Sequence, residues 1–513
     1  MDPLAELRVA IGEDARLERP PKPDFGDYST NAAMLRAPTE GKPPREVATV
    51  LAEELTGKLG DDVERIDVAG PGFLNLFMSE RWFHGAVGAA VEHADDFGRG
   101  DGGERVLVEF VSANPTGPMT VASARGAAIG DSLARLLEFA GNEVGREYYI
   151  NDYGTQVRLF GESIRARARG EEPPEGGYQG EYIAELAAEI DGAADRDPEE
   201  LARLGVEHMM GRVEATLARF RVHFDKFFSE RSLYEGGAVE RALDQLGEHV
   251  YEHEGARWLR TSTLGDEKDS VLIRSSGEPT YFASDIAYHG DKRERGFDRL
   301  INIWGADHHG HVKRMLAVWR ALGGADGSLE LLIMQLVNLM EGGQRARMSK
   351  RQGEFVTLDD LLDDIGVDAA RFFLLQRSHD TTIDLDLELA REQSNENPVY
   401  YCQYAHARIA SILRRAEKEP DPGGGGELHP SEKELIKKLL EFPEEISIAA
   451  ERRAPHRLTT YVLALAQAFS AFYRDCKVVG TPEEGFRLAL SLQTQRVIAR
   501  ALDLLGVEAP ESM

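Results

Sequence analysis

A strand, a turn and a helix in the middle of the chain restrict the fold more than any other feature of the sequence. The run "RVLVEFVS" (105–112) is mostly apolar and lies between a Gly pair and the turn "NPTGP" (114–118), as expected of a buried parallel strand. The apolar residues of the following "DSLARLLEFAGNE" share one helical face, and "REYYINDYG" supplies the next strand. Strand, helix and strand at this spacing predict a right-handed crossover, and therefore a doubly wound α/β domain.

The rest of the chain divides around this unit. The stretches "DSVLIRS", "TYFASDIAYHGDK" and "RLINIWGADHHGH" continue the alternation of strands and helices, so we expect a parallel sheet built from two halves, separated by a helical insertion near 165–219. After "FVTLDDLLDDIGVDAARFFLLQRS" the pattern is helical to the end, interrupted only by "EPDPGGGGELHP", which is typical of a flexible linker. The prediction is an α+β domain at 1–103, a split Rossmann-like domain at 104–365 and an all-α bundle at 366–513.

Composition excludes several classes of protein. With 513 residues the chain has room for about three domains, and no apolar run approaches the roughly 20 residues that span a bilayer. The beginning of the chain lacks the pattern of a signal peptide, so we expect a cytoplasmic protein. Cys402 and Cys476 lie in apolar helical stretches, which favours buried thiols over a disulfide or a zinc site. The net charge of −29 repels polyanions, so any nucleic-acid surface must be a local basic patch.

Two segments could bind a polyphosphate. The 114–118 turn leads into a helix N-terminus, where free N–H groups and the helix dipole favour phosphate. The segment "RARMSKRQG" (345–353) is a cationic loop between glycines, with Thr357 as the expected cap of the next helix. Its Lys350 suits a loop that closes on phosphates, although a solvated basic loop is the alternative.

The order of these two elements on a split sheet is that of the class I aminoacyl-tRNA synthetases, and more narrowly the chain resembles the arginyl-tRNA synthetases. The matching stretches run from residue 25 to residue 478: "FGDYSTNAA", "GPGFLNLF", "VEFVSANPTGP", "REYYINDYGTQV", "GEPTYFASDIAYHGDK", "WGADHHGH", "RMSKRQG", "VDAARFFLL", "NENPVYYCQYAHARI" and "AFYRDCKV". As a set they cover nearly the whole chain and are highly specific.

The resemblance implies a pocket for arginine. A guanidinium presents a planar fork of donors for which carboxylates are the natural acceptors. Tyr281 and Asp285 are four residues apart, on one face of the expected helix. The resemblance places Glu109, Asp285 and Tyr281 around the guanidinium and Asn114 near the α-amino group. Taken singly, such a Glu or Asp is usually a surface or capping group.

The resemblance also implies residues that contact ATP, with Mg²⁺ accompanying its phosphates. They are Pro115, Gly117, Ala122, Arg125, Gly305, Asp307, His308 and Met348, with Ser349, Lys350, Thr120 and Ser123 acting in the adenylation step. The three histidines of "GADHHGH" raise the alternative of a metal site. Their crowding is unsuited to one ion with open geometry, so we expect no protein-bound metal.

One motif of the family is altered. The position of its His-x-Gly-His sequence reads Thr120-Val121-Ala122-Ser123, so both histidines and the glycine are absent. Thr120 and Ser123 can each still donate a hydrogen bond, but Ala122 adds a methyl group where the adenine would lie. Removing one preorganised donor typically costs about 100- to 1000-fold in rate. Arg125 or His308 could compensate by contacting a phosphate.

The resemblance further implies surfaces for tRNA. "VDAARFFLL" opens an anticodon-binding bundle, in which Tyr400 and Tyr404 could stack on bases and Arg408 and Arg453 could contact phosphates. Phe73 and Asn75 match the segment that reads the outer corner of the tRNA. These residues could equally be core tyrosines and solvated arginines.

The sequence therefore predicts a monomeric arginine–tRNA ligase that uses arginine, ATP and the arginine tRNA, and that needs bound tRNA before it activates arginine. Two alternatives stay open. The altered motif could mark a catalytically impaired relative that binds tRNA or arginine for regulation, or the pocket could serve another acceptor.

Overall fold

The structure is a computed structural model that describes residues 3–12, 15–346, 356–424 and 426–513, and it begins with an α+β unit. The elements of this unit are α1 (Pro3–Ile11), β1 (Leu17–Glu18), β2 (Tyr28–Thr30), α2 (Ala32–Glu40), α3 (Pro44–Leu59), β3 (Val63–Ala69), β4 (Phe73–Met78) and α4 (Glu80–His93). Its strands form an antiparallel sheet in the order β1-β2-β4-β3. Apolar side chains such as Leu51, Leu74 and Phe83 are buried in its core.

The central part of the chain alternates strands and helices. Its elements are β5 (Arg105–Glu109), α5 (Val121–Phe139), β6 (Glu143–Ile150), α6 (Thr155–Ala168), α7 (Glu181–Glu189), α8 (Pro198–Arg219), β7 (Lys226–Ser229), α9 (Arg231–Glu235), α10 (Ala238–Gln245), β8 (Val250–His253), β9 (Ala256–Leu259), β10 (Ser270–Ile273), α11 (Tyr281–Glu294), β11 (Arg299–Gly305), α12 (Val312–Ala321) and β12 (Leu329–Met334).

Five of these strands form a parallel sheet in the order β12-β11-β5-β6-β7. The first strand, β5, lies in the middle, with β6 on one side and β11 on the other. The carboxyl ends of β5 and β11 therefore flank the point where the strand order reverses, which is where open α/β sheets bind ligands. The predicted split, doubly wound sheet is confirmed.

Two details of the predicted sheet are wrong. The stretch "DSVLIRS" forms β10, but β10 pairs with β9 in a separate antiparallel sheet of order β10-β9-β8. Periodicity identifies a strand without identifying its partner, and the adjacent β8–β9 hairpin offers a nearer edge. The sequence analysis also missed β7, a short edge strand that follows the helical insertion.

The last part of the chain is mostly helical. Its elements are β13 (Val337–Glu341), β14 (Gln344–Arg345), α13 (Leu358–Leu374), β15 (Ile383–Asp386), α14 (Leu387–Arg391), α15 (Pro398–Arg415), α16 (Pro430–Leu440), α17 (Phe442–Glu451), α18 (His456–Asp475) and α19 (Glu484–Leu504). Thr357 caps α13 in a reciprocal capping box with Asp360, as expected. The expectation of helix alone after α13 is wrong, because β15 pairs with β13.

The glycine-rich segment before α16 is attached to both of its neighbours. The Asp421 N–H donates to the Gly485 carbonyl oxygen at 2.9 Å, and the Leu428 N–H donates to Oε2 of Glu80 on α4 at 3.0 Å. The described residues of this segment thus connect the α+β unit to the helical bundle. Cys402 and Cys476 are buried, as predicted. Within the described residues, no helix is long and apolar enough to cross a membrane.

Candidate active site

A strained turn follows β5 at the centre of the sheet. Val111 and Ser112 have φ angles of +68° and +42°, in the left-handed region that residues with a Cβ rarely adopt. Ser112 Oγ donates to Oε1 of Glu109 at 3.0 Å and accepts from the Tyr149 N–H at 3.1 Å. The Tyr148 hydroxyl donates to the Ala113 carbonyl oxygen at 2.8 Å. Bonds from β6 thus offset the strain and fix the direction in which the chain leaves the sheet.

Glu109 begins a buried polar network beneath this turn. Nζ of Lys292, on α11, donates to Oε2 of Glu109 at 2.7 Å and to Oδ1 of Asn302 at 3.0 Å. Burial and the nearby Lys292 ammonium lower the pKa of His289 to about 3, so this imidazole is neutral. It donates from Nδ1 to the Asp285 carbonyl oxygen and accepts at Nε2 from the Asn302 amide. The network fixes α11 against β5 and β11.

Two carboxyl groups near this network are in a strongly desolvated environment. Burial raises the pKa of Asp285 to about 7, with Glu230 and Glu109 adding to the shift. Burial also raises the pKa of Glu230 to about 7, and Asp152 adds to that shift. Glu230 is 3% exposed, and within the described residues its Oε2 has no hydrogen-bond partner. A ligand with several N–H donors and a positive charge would satisfy both groups.

The sequence analysis identified Asp285 but missed Glu230. Glu230 directly follows β7, so it lies at the carboxyl end of a parallel strand, where ligands bind. Predicting β7 would have pointed to it. The buried Tyr149 hydroxyl lies beside Glu230, and the hydroxyls of Ser284 and Tyr149 partly offset the effect of burial on the pKa of Glu230.

The other two residues predicted to bind arginine are at the surface. Tyr281 opens α11, one turn before Asp285, and is 61% exposed. Asn114 is exposed in the turn after β5, next to the buried Pro115. Both are therefore accessible to a ligand. The two carboxyl groups are thus buried, while Tyr281 and Asn114 are exposed near the carboxyl edge of the sheet.

The altered motif lies where α5 begins. Thr120 precedes the helix, Ala122 is exposed in its first turn, and the Thr120 and Ser123 hydroxyl oxygens are 3.5 Å apart. Thr120 and Thr357 form an isolated antiparallel β-bridge, and the Val121 N–H donates to the Val356 carbonyl oxygen at 3.3 Å. Val356 is the first described residue after 347–355, so the described chain resumes at this helix N-terminus. Met348, Ser349 and Lys350 themselves lie outside the described residues.

Arg125 does not face this helix N-terminus, so the expectation that it contacts ATP is wrong. Its side chain is completely buried and donates to the carbonyl oxygens of Gln335 at 2.6 Å and Ser378 at 2.9 Å. Burial lowers its pKa to about 10. Arg125 connects α5 to the segments before β13 and β15. Val121 and Ile129, four residues before and after Arg125, are apolar and buried, so helical spacing could have placed Arg125 on the inward face of α5.

The residues after β11 lie on the other side of the strand-order reversal. Asn302 is level with Glu109 in the sheet, so Gly305 lies three residues beyond it at the carboxyl end of β11. A Cβ on Gly305 would lie 2.6 Å from Oδ1 of Asp307, an exposed side chain that can move away. His308 is exposed, with its Nε2 3.5 Å from Oδ2 of Asp307. Because β11 and β5 are neighbours, these residues and the start of α5 both follow strands at the same carboxyl edge of the sheet.

Gly117 and the turn around it contact the helical insertion. The Tyr182 hydroxyl on α7 donates to the Thr116 carbonyl oxygen at 2.9 Å, and a Cβ on Gly117 would lie 3.3 Å from the same hydroxyl. The insertion therefore holds the predicted phosphate turn from outside the sheet.

An aromatic and basic patch lies on the helical bundle. Tyr400 and Tyr404 are one turn apart on α15, with their rings stacked at a centroid distance of 6.4 Å. The Arg408 guanidinium lies 5.0 Å from the Tyr404 ring and 5.2 Å from the ring of Tyr473 on α18. Tyr404 and Tyr473 are both 38% exposed. The patch can stack on unpaired bases and attract a phosphate.

Two of the predicted tRNA contacts have other partners. Arg453 forms a bidentate ion pair with Glu330 on β12, at 2.9 Å for both bonds, and so holds the bundle against the sheet. Asn75 is 7% exposed, and its Oδ1 accepts from the Ser29 hydroxyl. Phe73, by contrast, is 38% exposed at the start of β4. The Arg453 guanidinium is thus engaged within the protein, and Asn75 is mostly buried.

Three family models match the chain in sequence order. The model described as "Arginyl tRNA synthetase N terminal domain" matches residues 4–78. "tRNA synthetases class I (R), catalytic domain" matches 93–172 and 185–410, and "DALR anticodon binding domain" matches 402–513.

Known proteins resemble the chain over nearly its full length. The arginine–tRNA ligase of Desulfitobacterium hafniense is 45% identical over 97% of this chain and 93% of its own length. Among solved structures, one titled as a putative arginyl-tRNA synthetase from Campylobacter jejuni matches with a TM-score of 0.80 and 36% identity, covering 85% of this chain and all of that one. Thermus thermophilus arginyl-tRNA synthetase matches with a TM-score of 0.77 and 26% identity, covering 99% of this chain and all of that one.

Proposed function

Because this chain belongs to the arginyl-tRNA synthetase family, we propose that it is an active arginine–tRNA ligase that joins arginine to ATP and transfers it to the arginine tRNA. The adenylation step releases pyrophosphate, and the arginyl group is then esterified to the 3′-terminal adenosine. Mg²⁺ accompanies the ATP phosphates and offsets the charge that develops on them. In this proposal the chain works without the two histidines of the family motif.

The acidic pocket is the observation that carries the proposal. Glu230 and Asp285 are two desolvated carboxyl groups whose pKa values lie near 7, and Oε2 of Glu230 has no partner among the described residues. Such an arrangement is unfavourable until a cation binds. A guanidinium carries five N–H donors and a permanent charge, so it can satisfy both carboxylates at once. A chain that no longer bound arginine would gain nothing from keeping two buried carboxyl groups without a cationic partner.

The helix N-terminus supports adenylation. The α5 N–H groups and the hydroxyls of Thr120 and Ser123 offer donors at one place, and Thr357, which follows Ser349 and Lys350 in the sequence, pairs with Thr120 at the same helix end. We propose that Lys350 supplies the positive charge that the missing histidines would have provided. Pro115, Gly117, Gly305, Asp307, His308 and Met348 remain proposed contacts of the nucleotide.

The finer features of the organisation belong to the same proposal. We propose domains at 1–103, 104–365 and 366–513, with arginine recognised in the second and tRNA by Phe73 in the first and by Tyr400, Tyr404 and Arg408 in the third. A monomer in the cytoplasm suits such an enzyme, and light scattering of the purified protein tests the monomer.

The test is aminoacylation of total tRNA with labelled arginine, ATP and Mg²⁺. We expect the native chain to charge tRNA at about 1 per second or faster. A triple variant with Thr120→His, Ala122→Gly and Ser123→His should charge at least as fast, and Asp285→Asn should be inactive. If the native chain is inactive while the triple variant works, the proposal is wrong and the protein binds its ligands without joining them.

A further inference from the structure

The turn that carries Glu230 is bonded to the chain that leaves β6. The strands β6 and β7 are parallel, with Ser229 level with Ile150. The Glu230 N–H donates to the Ile150 carbonyl oxygen at 3.0 Å, and the Asp152 N–H donates to the same oxygen at 2.9 Å. One carbonyl group therefore holds together the two segments that follow these strands.

The side chain of Asp152 binds the residues on both sides of Glu230. Its Oδ2 accepts from the Ser229 hydroxyl at 2.6 Å, and its Oδ1 accepts from the Arg231 N–H at 2.9 Å. The Asp152 carbonyl oxygen also accepts from Nη2 of Arg231 at 3.0 Å. Three bonds from one residue thus fix both neighbours of Glu230 to the end of β6.

The Glu230 carboxyl group needs such support, because its surroundings are unfavourable in the free protein. It is 3% exposed, and its Oε2 has no hydrogen-bond partner among the described residues. Asp152 and Asp285 are neighbouring carboxyl groups, which repel Glu230 when they are ionised. Desolvation and like charge both favour a side chain that turns away towards water. The bonds from Asp152 oppose that change, since they fix the main chain on both sides of Glu230.

We propose that Asp152 is a positioning residue for arginine, which holds Ser229 and Arg231 so that the Glu230 carboxylate stays beside Asp285 and accepts from the guanidinium. This inference rests on the proposed function, because it takes Glu230 as a ligand of arginine. Both Asp152 side-chain oxygens already accept a hydrogen bond, so Asp152 acts through Glu230. A carboxylate that is fixed before the ligand arrives spares arginine the cost of ordering it.

The test is a double-mutant cycle on the Kd of arginine, measured by calorimetry with the full-length chain at pH 8, above the pKa of about 7 of Glu230. Asp152→Ala removes both side-chain bonds and should raise the Kd about 10- to 100-fold. Glu230→Ala removes the group that is positioned and should raise the Kd at least as much. In the Glu230→Ala background, Asp152→Ala should change the Kd by less than about twofold, because no carboxylate remains to be positioned.

Two milder variants test the hydrogen bonds themselves, and they serve if Asp152→Ala fails to fold. Asp152→Asn keeps an acceptor for the Arg231 N–H and gains an amide that can donate to the Ser229 hydroxyl oxygen. Its Kd should therefore stay within about threefold of the native value. Ser229→Ala removes only the 2.6 Å bond and should raise the Kd about 3- to 10-fold.

Asp225→Ala is the matched control, because Asp225 binds the opposite end of the same pair of strands. It directly precedes β7, and its Oδ2 accepts from the Arg146 N–H on β6 at 2.7 Å. The substitution removes a bond of the same kind from the sheet edge far from Glu230. We expect it to lower the unfolding temperature while leaving the Kd of arginine within about twofold of the native value.

Four outcomes would overturn the positioning role: a native Kd in Asp152→Ala or Ser229→Ala, an equal effect of Asp152→Ala with and without Glu230, an Asp152→Asn variant as weak as Asp152→Ala, or an equal loss in Asp225→Ala. A native chain that binds arginine without charging tRNA would overturn the proposed function alone. A native chain that does not bind arginine would overturn both.

Discussion

At the residue scale, the charge state of Asp285 and Glu230 decides how the pocket responds to pH. Their pKa values near 7 mean that in the free protein each carboxyl group holds a proton at pH 6 and loses it by pH 8. Arginine stays cationic throughout this range and binds the ionised carboxylates. Binding therefore releases protons, and arginine affinity must rise with pH.

We predict that the Kd of arginine, measured by calorimetry, falls by at least about tenfold between pH 6 and pH 8, since each carboxyl group contributes up to about tenfold across this range. Heats measured in buffers of different ionisation enthalpy should show proton release near pH 7. Glu230→Gln should weaken arginine binding at pH 8 and flatten the pH profile. A pH-independent Kd in the native chain would contradict this assignment.

The sequence could place Glu109 and Asp285 because a family resemblance and a helical spacing identified them. It could not place Glu230 or the partners of Arg125. A single Glu in "FFSERS" has no periodic signal, and its meaning depends on β7, whose four residues are too few to predict. Val121 and Ile129, four residues before and after Arg125, indicate that it faces inward, but only the packed structure shows its carbonyl partners.

At the scale of elements, α5 and β5 are fitted together at Gly130. A Cβ on this residue would lie 2.1 Å from Cγ of Phe110, which is completely buried behind the strained turn. No real side chain tolerates such a contact, so the glycine lets α5 approach the chain that leaves β5. The position of the altered motif relative to Glu109 depends on this approach.

We predict that Gly130→Ala lowers the free energy of unfolding by about 1–3 kcal/mol, the usual cost of overpacking, despite the higher helix propensity of alanine. Gly211→Ala is the matched control, since it lies in α8 with nothing within 4 Å of the added Cβ. It should stabilise the protein by about 0.5–1 kcal/mol. Urea denaturation of both variants makes the comparison, and a stabilised Gly130→Ala would show that Phe110 relaxes without cost.

Strand and helix patterns predicted most of these elements but not their pairing. The central sheet follows from apolar runs, small-residue turns and crossover handedness, which are all local signals. The partners of β10 and β15 depend on which sheet edges are available for pairing in the folded protein. Local sequence patterns do not identify those edges. Likewise, α13 has a kink at Gly366, whose φ is +77°, where two helical stretches join. The sequence pattern did not predict this kink.

At the scale of the whole molecule, ion pairs join the α+β unit to the helical bundle. Arg8 lies 2.5 Å from Glu444, Lys433 lies 2.6 Å from Glu80, and other pairs link Arg19 with Glu441 and Lys437 with Asp27. The bundle is also held to the sheet edge through Arg453 and Glu330. Each pair joins residues more than a hundred positions apart, so domain boundaries could be proposed from the sequence but domain docking could not. These ion pairs connect the α+β unit, the sheet and the bundle, which carry the proposed tRNA-binding surfaces.

The net charge of −29 makes the protein repel tRNA, so binding depends on local basic sites. Arg408 is such a site, because its guanidinium lies over two exposed tyrosine rings and can contact a phosphate while they stack on bases. Its contribution therefore has two parts, a screened electrostatic one and a stacking one that is less sensitive to salt.

We predict that Arg408→Gln raises the Kd of the arginine tRNA about 5- to 10-fold at physiological salt and reduces the slope of log Kd against log salt concentration by about 1, because one phosphate contact is lost. Tyr404→Ala should weaken binding by a similar or larger factor while leaving the slope nearly unchanged, since stacking releases no counterions. Arg320→Gln is the control: this exposed arginine on α12 pairs with Asp326, away from the patch. If all three variants change the slope equally, tRNA responds to the charge of the whole molecule and the patch on α15 is not its binding site.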